Sequence, residues 1–247
     1  MKPLIVIIGA SSGLGLKIAM TLAARGWKVG MAARRETPLV TVKNQYPDNV
    51  KFTAIDITAP DAGEKILALI KALGGMDIML NCAGIGWYNP TLDIEKEQAT
   101  VKTNVDGFVT VVDTAFNYFA TEKRGGQIAA ITSVAGTRGI GVAAAYSASK
   151  QFENCYLDAL DQLSRVRGLG ITITDIRPGF IRTPLLDPDT AYPGIMTVEK
   201  AVPLIVKAIE RKRRVAYIDW RWGWLVRAWR AIPVYIWRRM KIKLKDN

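Results

Sequence analysis

The sequence predicts a single doubly wound α/β domain built on a seven-stranded parallel sheet. Seven short apolar runs recur along the 247 residues, and helix-length segments separate most of them. Because a parallel connection needs a crossover of about a dozen residues or more, this alternation favours a parallel sheet with helices on both faces. The runs are 3–8, 28–33, 51–55, 76–81, 127–132, 171–176 and 215–218.

The first elements form a strand, a tight turn and a helix. The first run ends at Gly9, and a helical pattern extends from about residue 13 to residue 25, with Leu14, Ile18 and Leu22 spaced by four. No linker interrupts the alternation of strands and helices. We therefore predict one domain over residues 1–218 and a C-terminal extension over residues 219–247.

Composition excludes several classes of site. The chain contains no histidine, which excludes a histidine base and His-ligated metals. Cys82 and Cys155 are the only cysteines, too few for a thiolate zinc site, and we interpret both as small buried hydrophobic residues in a reducing compartment. We expect no metal site.

Targeting segments are also not expected. The apolar run 4–8 is too short for a signal-peptide core. Near the C-terminus, Arg221, Arg227 and Arg230 interrupt the one apolar stretch before it reaches the roughly 18 residues of a spanning helix. We therefore expect a cytoplasmic protein.

A glycine-rich turn follows the first strand, with Gly9, Gly13 and Gly15 in the spacing Gly-x3-Gly-x-Gly. Such glycines allow backbone N–H groups to approach a pyrophosphate, whose charge the N-terminus of the next helix favours. The turn therefore indicates a Rossmann-type dinucleotide site, although a purely structural role also explains it. The other residues expected at this turn are Ser11, Ser12 and Leu14.

The end of the second strand bears on the choice of dinucleotide. A carboxylate there would bond the ribose 2′-hydroxyl of NAD, whereas basic residues would accept a 2′-phosphate. The chain has Arg34 and Arg35, and guanidinium groups suit a phosphate through charge-assisted hydrogen bonds. These residues favour NADP, and the alternative is a solvated surface pair that Glu36 partly neutralises.

Candidate catalytic side chains lie at the carboxyl ends of strands, where open parallel sheets build their ligand sites. Tyr146 and Lys150 are four residues apart at the start of a helix and so share one helix face. Ser133 follows the strand 127–132, and Asn81 ends the strand 76–81. Taken singly, each has a common structural explanation; together they indicate one site.

With these motifs, the sequence resembles the classical short-chain dehydrogenase/reductase family over residues 3–210. The motifs occur in the family's order and spacing, and two positions depart from it: Ile8 stands where Thr is frequent and Cys82 where Asn is common. Neither departure touches the proton-transfer groups. The matching positions are Gly9, Gly13, Gly15, Asp56, Asn81, Ala83, Gly84, Asn104, Ser133, Tyr146, Lys150, Pro178 and Gly179.

The resemblance implies a role for each residue in carbonyl reduction. Tyr146 donates the proton, and its phenol, with an ordinary pKa of about 10, needs nearby positive charge. Lys150 supplies that charge and holds the nicotinamide ribose, Ser133 bonds the substrate oxygen, and Asn104 keeps a water-linked proton path. The implied cofactor-binding residues are Asp56 and Ile57 at the adenine, Asn81, Ala83 and Gly84 at the adenosine, and Pro178, Gly179, Ile181 and Thr183 at the nicotinamide.

The residues expected along the substrate cleft are apolar. The loop 185–196 contains no Arg or Lys that could clamp a carboxylate or phosphate, so a lipophilic ketone or alcohol fits better. The apolar residues of this loop are equally explained by packing within a lid. The other expected lining residues are Trp87, Tyr88, Ile140, Val142 and Phe180.

The C-terminal extension differs in composition from the rest of the chain. The net charge is +12, and residues 207–247 hold 13 of the 34 basic residues but only three of the 22 acidic ones. The spacing of Leu225, Ala228, Trp229 and Ile232 predicts one apolar helix face, which Pro233 should break. Tryptophan and arginine together are typical of an anionic membrane surface. Packing on the domain or on an oligomer partner is the alternative, and nucleic acid is a weaker one.

Two functions from different classes follow. The first is an NADPH-dependent oxidoreductase that reduces an apolar carbonyl compound or oxidises the alcohol, as a homo-oligomer (dimer or tetramer). The second is a catalytically silent, NADPH-binding protein at the membrane periphery. Ser133, Tyr146 and Lys150 favour the enzyme, and we expect its nucleotide site to assemble without residues 219–247.

Overall fold

Seven parallel strands form the central sheet of the computed structural model, which describes residues 2–123, 125–186, 190–242 and 245–246. They are β1 (Leu4–Ile8), β2 (Lys28–Ala33), β3 (Val50–Ala54), β4 (Ile78–Asn81), β5 (Gly126–Ile131), β6 (Ile171–Pro178) and β8 (Val215–Ile218). Their order across the sheet is β3-β2-β1-β4-β5-β6-β8. Two short strands, β7 (Thr190–Ala191) and β9 (Lys245–Asp246), pair antiparallel. The predicted doubly wound parallel sheet is confirmed.

Helices cover both faces of the sheet, and each face has its own apolar core. Because side chains alternate along a strand, Ile5 and Ile7 enter one core, whereas Val6 and Ile8 enter the other. The first core lies under α1 (Gly13–Ala24), α2 (Thr37–Gln45) and α7 (Val198–Glu210). The second lies under α3 (Ala62–Leu73), α5 (Phe108–Glu122) and α6 (Ala144–Val166). A further helix, α4 (Ile94–Val101), precedes α5.

The predicted strands agree with the structure to within two residues at each end. The difference is clearest at β4, which begins at Ile78 and not at residue 76. Here the Asp77 carboxylate accepts a hydrogen bond from the Leu4 N–H, and the Tyr118 hydroxyl accepts one from the Met76 N–H. In a longer β4, backbone groups of the neighbouring strands would form these hydrogen bonds. Side chains form them here, and the strand begins at Ile78.

The cysteines differ from each other in burial. Cys82 is partly buried after β4, but Cys155 is exposed. Interpreting both as buried was therefore wrong for Cys155, which lies next to the buried Asn154 but on the solvent side of α6.

Two helices follow the last strand of the sheet, α8 (Trp220–Ala231) and α9 (Val234–Trp237), with Pro233 between them. Within the described residues, no helix is long and apolar enough to cross a bilayer. The helices pack onto the segment after β5: the Trp237 indole N–H donates to the Gly139 carbonyl at 2.8 Å, and Arg138 donates to the carbonyls of Arg230 and Ile232. The boundary between residues 218 and 219 stays a prediction.

The face of α8 that packs on the domain coincides only in part with the apolar face that the spacing predicts. Leu225 and Ala228 are exposed, whereas Trp222 and Val226 are buried and Trp229 is partly buried. The Asp219 carboxylate caps the first turn by accepting the Arg221 N–H, and the docking of Trp222 then decides which face turns inward. Periodicity alone did not distinguish this face because apolar residues occur on both sides of the helix.

Trp222 is the anchor of α8. Its ring lies 5.6 Å from that of Phe180 and 6.4 Å from that of Trp229, and it packs with Val134 and Val226. A tryptophan buried to this extent contributes more to stability than an exposed one on the same helix.

We expect Trp222→Ala to lower the free energy of unfolding by about 3 kcal/mol, because it removes a buried ring and leaves a cavity. Chemical denaturation measures this loss. Trp224→Ala is the matched control: Trp224 is 62% exposed on the same helix, and we expect a loss below about 1 kcal/mol. Equal losses in the two variants would show that α8 does not dock through Trp222.

Candidate active site

The proposed site residues lie at the carboxyl edge of the sheet, at the ends of β1 to β6 and in the segments that follow, at the start of α6 and in the turn between α4 and α5. All strand pairs of this sheet are parallel, so these segments meet at one edge. The structure therefore brings together residues that are widely separated in sequence.

The glycine turn makes close backbone contacts that side chains would block. Gly9 has a φ of +82°, and a Cβ there would lie 2.6 Å from the Ala83 nitrogen. A Cβ on Gly15 would lie 2.3 Å from the Gly9 carbonyl oxygen. Glycine is thus required at both positions, and it lets the turn pack against α1 and against the segment after β4.

The remaining turn residues face different partners. Gly13 has a φ of +52°, and a Cβ there would contact the Thr183 side chain at 3.3 Å, so the segment after β6 reaches the glycine turn. Ser12 precedes α1, and its hydroxyl accepts no hydrogen bond from the N–H groups in the first turn of that helix. Leu14 packs against the core, and the Ser11 hydroxyl accepts a hydrogen bond from Arg35.

The two arginines after β2 are both exposed beside the turn. Arg35 Nη2 lies 3.3 Å from the Ser11 hydroxyl oxygen, and Arg34 acts electrostatically on Asp56. Hydrogen bonds from the Thr58 N–H and hydroxyl, assisted by Arg34, lower the pKa of Asp56. A cationic surface therefore borders the turn where β2 and β3 end.

Ile57 and Asn81 are buried side chains that pack or form hydrogen bonds beneath the carboxyl edge of the sheet. Ile57 is buried, and a Cβ on Gly107 would lie 2.7 Å from its side chain. The Asn81 side-chain oxygen accepts the Ala83 N–H at 3.1 Å and thereby holds the turn that follows β4.

Asn104 lies in a π-helical turn (Lys102–Gly107) between α4 and α5 and is fully buried. Its side-chain oxygen accepts the Ile85 N–H, and its amide donates to the Ile85 carbonyl and the Ser149 hydroxyl. A Cβ on Gly84 would lie 3.2 Å from Lys150 Nζ and 3.5 Å from Asn104 Oδ1. Asn104 and Lys150 thus meet at Gly84.

Tyr146 and Lys150 lie one turn apart on α6. Lys150 is buried, whereas Tyr146 is half-buried, and Lys150 Nζ lies 5.8 Å from the centroid of the Tyr146 ring. The Tyr146 ring also covers Gly86, where a Cβ would come within 2.3 Å of it. Lys150 Nζ further donates a long hydrogen bond of 3.5 Å to the Ile131 carbonyl at the end of β5.

Ser133 follows β5 and is buried. Its hydroxyl oxygen accepts the Ala135 N–H at 3.1 Å and caps the 3-10 turn Val134–Thr137. A Cβ on Gly136 in this turn would lie 2.6 Å from the Lys150 carbonyl oxygen. The turn that carries Ser133 therefore packs on α6 at the level of Lys150.

A buried carboxylate that the sequence analysis missed pairs with Lys150. Lys150 Nζ donates to both oxygens of Glu153 at 2.8 and 2.9 Å, and the two residues are 3% and 1% exposed. Burial raises the pKa of Glu153 to about 7, although the Lys150 ammonium favours its carboxylate. Because Glu153 is three residues after Lys150, the spacing alone could have suggested the pair.

The segment after β6 is held by the C-terminal helix. A Cβ on Gly179 would lie 2.0 Å from the Trp222 indole nitrogen, so this glycine is required for α8 to dock. Pro178 ends β6, and Ile181 is buried and bridges to Met196. The expectation that the nucleotide site assembles without residues 219–247 stays a prediction, and a truncation would remove this contact at Gly179.

The structure describes most of the residues expected along the substrate cleft. Trp87 is 39% exposed, and the structure describes residues 185–186 and 190–196 of the loop 185–196, whereas residues 187–189 lie outside the described residues. Among the residues that the structure describes, no three His, Cys, Asp or Glu side chains form a group that could hold a metal ion.

Comparison with known proteins decides the family. The sequence model described as short chain dehydrogenase matches residues 3–192. The chain belongs to the short chain dehydrogenase family. An oxidoreductase of Myxococcus xanthus is 32% identical to this short chain dehydrogenase over 235 residues, which cover 92% of each chain. The 3-oxoacyl-[acyl-carrier-protein] reductase of Escherichia coli is 35% identical over 181 residues, covering 72% of this chain and 73% of that one.

A solved structure is similar over almost the whole short chain dehydrogenase. It is a short chain dehydrogenase from Burkholderia cenocepacia in complex with NADP, with a TM-score of 0.82 and 21% identity. The match covers 98% of both chains. At this identity the likeness shows the fold.

Proposed function

We propose that this short chain dehydrogenase is an NADPH-dependent oxidoreductase that reduces an apolar carbonyl compound or oxidises the corresponding alcohol. The observation that carries the proposal is the placement of Tyr146 beside the buried Lys150, next to the turn of Ser133. A phenol one helical turn from an ammonium is a proton donor beside a fixed positive charge, which is what carbonyl reduction requires.

The residues present fit NADPH. Close backbone packing at Gly9 and Gly15 leaves the α1 N-terminus accessible to a pyrophosphate, and Arg34 and Arg35 are exposed where a 2′-phosphate would lie. The Burkholderia cenocepacia relative was solved with NADP, which supports the same choice here. When bound, NADPH supplies the hydride.

The proposed roles of the protein side chains are proton transfer, binding of the substrate oxygen and binding of the cofactor ribose. Tyr146 gives its phenol proton to the oxygen of the substrate carbonyl, and Ser133 donates a hydrogen bond to the same oxygen. Lys150 holds the ribose and places positive charge beside Tyr146. Asn104, which already orders Ile85 and Ser149, borders Lys150 and keeps the path by which the proton is replaced.

The remaining proposed cofactor contacts follow the edge of the sheet. Asp56 and Ile57 border the adenine, and Asn81, Ala83 and Gly84 border the adenosine side. Pro178, Gly179, Ile181 and Thr183 border the nicotinamide. The approach of Thr183 to Gly13 supports this placement, because it brings the nicotinamide segment to the phosphate turn.

The proposed substrate is apolar. A half-open groove of about 380 Å³ is lined by Val142, four residues before Tyr146, and by residues of the C-terminal extension. Those residues are Trp237, Arg238, Met240, Lys241 and Ile242. These walls suit an aliphatic chain whose far end is neutral or acidic. The similarity to a 3-oxoacyl-[acyl-carrier-protein] reductase supports an acyl-type carbonyl.

We also propose that the outer surface of α8 and α9 contacts an anionic membrane. Trp220, Trp224 and Tyr235 are 72%, 62% and 63% exposed on these helices, and Arg227 lies over the Trp224 ring at 4.8 Å. Exposed indoles beside arginines complement a surface of apolar chains and anionic headgroups. A homo-oligomer and a cytoplasmic location remain proposals, and exposed apolar residues on α4 and α6, such as Val101 and Val166, support association between copies.

The silent NADPH-binding protein is the alternative function, favoured only by the exposed surface of α8 and α9. Tyr146→Phe distinguishes it. We expect this variant to lose turnover of medium- and long-chain ketones, measured by NADPH oxidation, while it keeps NADPH affinity, because only the hydroxyl is removed. The control is Tyr156→Phe on the same helix as Tyr146, which removes a hydroxyl that donates to Asp113 of α5 and should keep turnover.

Lys150→Ala should impair both turnover and NADPH affinity, because Lys150 has two proposed roles. Wild-type protein that binds NADPH and reduces no ketone would favour the silent alternative. Full turnover in Tyr146→Phe would show that another group supplies the proton.

Cofactor choice depends on the arginines after β2. We expect Arg34→Ala with Arg35→Ala to weaken NADPH far more than NADH, by about ten- to a hundredfold for each contact of about 1.5–3 kcal/mol. Fluorescence titration measures both affinities. The double variant Arg165→Ala with Arg167→Ala removes the same charge near the far end of α6 and is the control. Equal weakening of the two cofactors would exclude recognition of the 2′-phosphate.

Membrane contact is tested by sedimentation with vesicles. The protein should bind vesicles containing phosphatidylserine at low salt and dissociate at high salt, because ions screen the arginines. Trp220→Ser with Trp224→Ser should lose binding, whereas Leu67→Ser, 46% exposed on α3, should keep it. No binding to anionic vesicles at low salt would leave α8 and α9 with a packing role alone.

A further inference from the structure

A side chain of α4 caps the N-terminus of α6, the helix that carries Tyr146. The residue before α6 is Ala143, whose side chain has no oxygen to accept a hydrogen bond from the first turn. Glu97 takes that place, and its Oε2 accepts the Ala145 N–H at 2.9 Å. The first N–H groups of a helix lack partners within the helix, and a carboxylate also suits its positive end. Because Ala145 directly precedes Tyr146, this cap lies at the turn that carries the proposed acid.

The second oxygen of Glu97 is held by Asn89. Asn89 Nδ2 donates to Glu97 Oε1 at 2.7 Å and to the Asp93 carbonyl at 3.1 Å, and its Oδ1 accepts the Asp93 N–H at 3.0 Å. Asn89 is 2% exposed, so this amide is oriented within the protein. Its backbone N–H donates to the Val142 carbonyl at 2.8 Å. Asn89 and Glu97, which we call the clamp, thus hold the chain before Tyr146 at residues 142 and 145.

The clamp also fixes the segment on which Tyr146 packs. The Tyr146 ring covers Gly86, where a Cβ would come within 2.3 Å of the ring. Asn104 holds one end of this segment through the Ile85 N–H at 2.9 Å and the Ile85 carbonyl at 2.7 Å. Asn89 is the other end of the segment and belongs to the clamp. The clamp therefore joins the first turn of α6 to the segment against which the Tyr146 ring lies.

We propose that Glu97 is a positioning residue that holds Tyr146 in place for proton transfer, through the Ala145 N–H and Asn89. This inference rests on the proposed function, in which Tyr146 is the acid and Lys150 supplies positive charge. A general acid must lie within hydrogen-bond reach of the oxygen that it protonates, and a displacement of about 1 Å lowers a rate by as much as about a hundredfold. Loss of the clamp should therefore lower kcat and leave NADPH affinity unchanged.

Two conservative variants separate the reach of the Glu97 side chain from its charge. Glu97→Asp keeps the charge but is one methylene shorter, so it does not reach the Ala145 N–H and Asn89 together. Glu97→Gln keeps the length and an oxygen that accepts the Ala145 N–H, but it has no charge. We expect kcat to fall about tenfold in Glu97→Asp and to stay within about threefold of wild type in Glu97→Gln.

The rate is measured per folded site. NADPH oxidation with a saturating medium-chain ketone gives the rate, and fluorescence titration with NADPH counts the binding sites. We expect the Kd for NADPH to stay within about twofold of wild type in both variants. The melting temperature should fall by no more than about 4 °C, the size of a lost helix cap. A merely structural role of Glu97 would lower the melting temperature and the number of sites, but not kcat per site.

Hydrogen exchange reports on the bond itself. The Ala145 amide should exchange faster in Glu97→Asp than in wild type, because it loses the acceptor on Glu97. Glu95→Ala is the matched control, since Glu95 is an exposed residue in the first turn of α4 and carries the same charge. We expect this variant to keep both kcat and the exchange rate of the Ala145 amide.

The outcomes separate the inference from the proposed function. Unchanged kcat per site in Glu97→Asp, or equal losses in Glu97→Asp and Glu97→Gln, overturns the inference, while wild-type turnover preserves the function. If Tyr146→Phe keeps full turnover, Tyr146 is not the acid, and both are overturned. A lower kcat in Glu97→Asp alone, with NADPH affinity unchanged, supports both.

Discussion

Parallel strand pairing is the constraint on which the site depends. Because every pair in the seven-stranded sheet is parallel, all carboxyl ends face the same edge, and the helices must return the chain across the faces. Gly9, Gly84 and Ser133 lie at that edge for this reason alone. The site also requires close backbone packing at the first turn. Gly9 and Gly15 allow it, because a Cβ at either position would displace neighbouring backbone atoms.

Burying Lys150 adds an electrostatic constraint to the geometric one. An ammonium 3% exposed costs several kcal/mol without a partner, more than any single apolar contact nearby returns. Lys150 forms an ion pair with Glu153 on the same helix, and Asp175 forms one with Arg177 on β6. Two buried carboxylates, Glu153 and Asp175, thus pair with two different cations.

The fold and much of the proposed site were predictable because they depend on local patterns. Uninterrupted apolar runs define buried strands, and glycines spaced as Gly9, Gly13 and Gly15 mark a turn whose close contacts the structure shows. The inward face of α8 was not predictable, since apolar residues lie on both sides and docking onto Phe180 selects Trp222. Glu153 was missed because burial of a carboxylate depends on elements distant in sequence, and spacing indicates only that a pair with Lys150 is possible.

The C-terminal extension carries two surfaces with different physical roles. Its inner side places Trp222 against Gly179 and Phe180, and Trp237 against Gly139, so it closes the segments that lead to the proposed nicotinamide and substrate positions. Its outer side leaves Trp220 and Trp224 in solvent, although exposing such rings is unfavourable unless something covers them. The inner contacts dock the extension on the domain, and Trp237 together with Met240 and Ile242 of the extension lines the groove beside Val142. The extension thus forms part of the wall on the proposed substrate side.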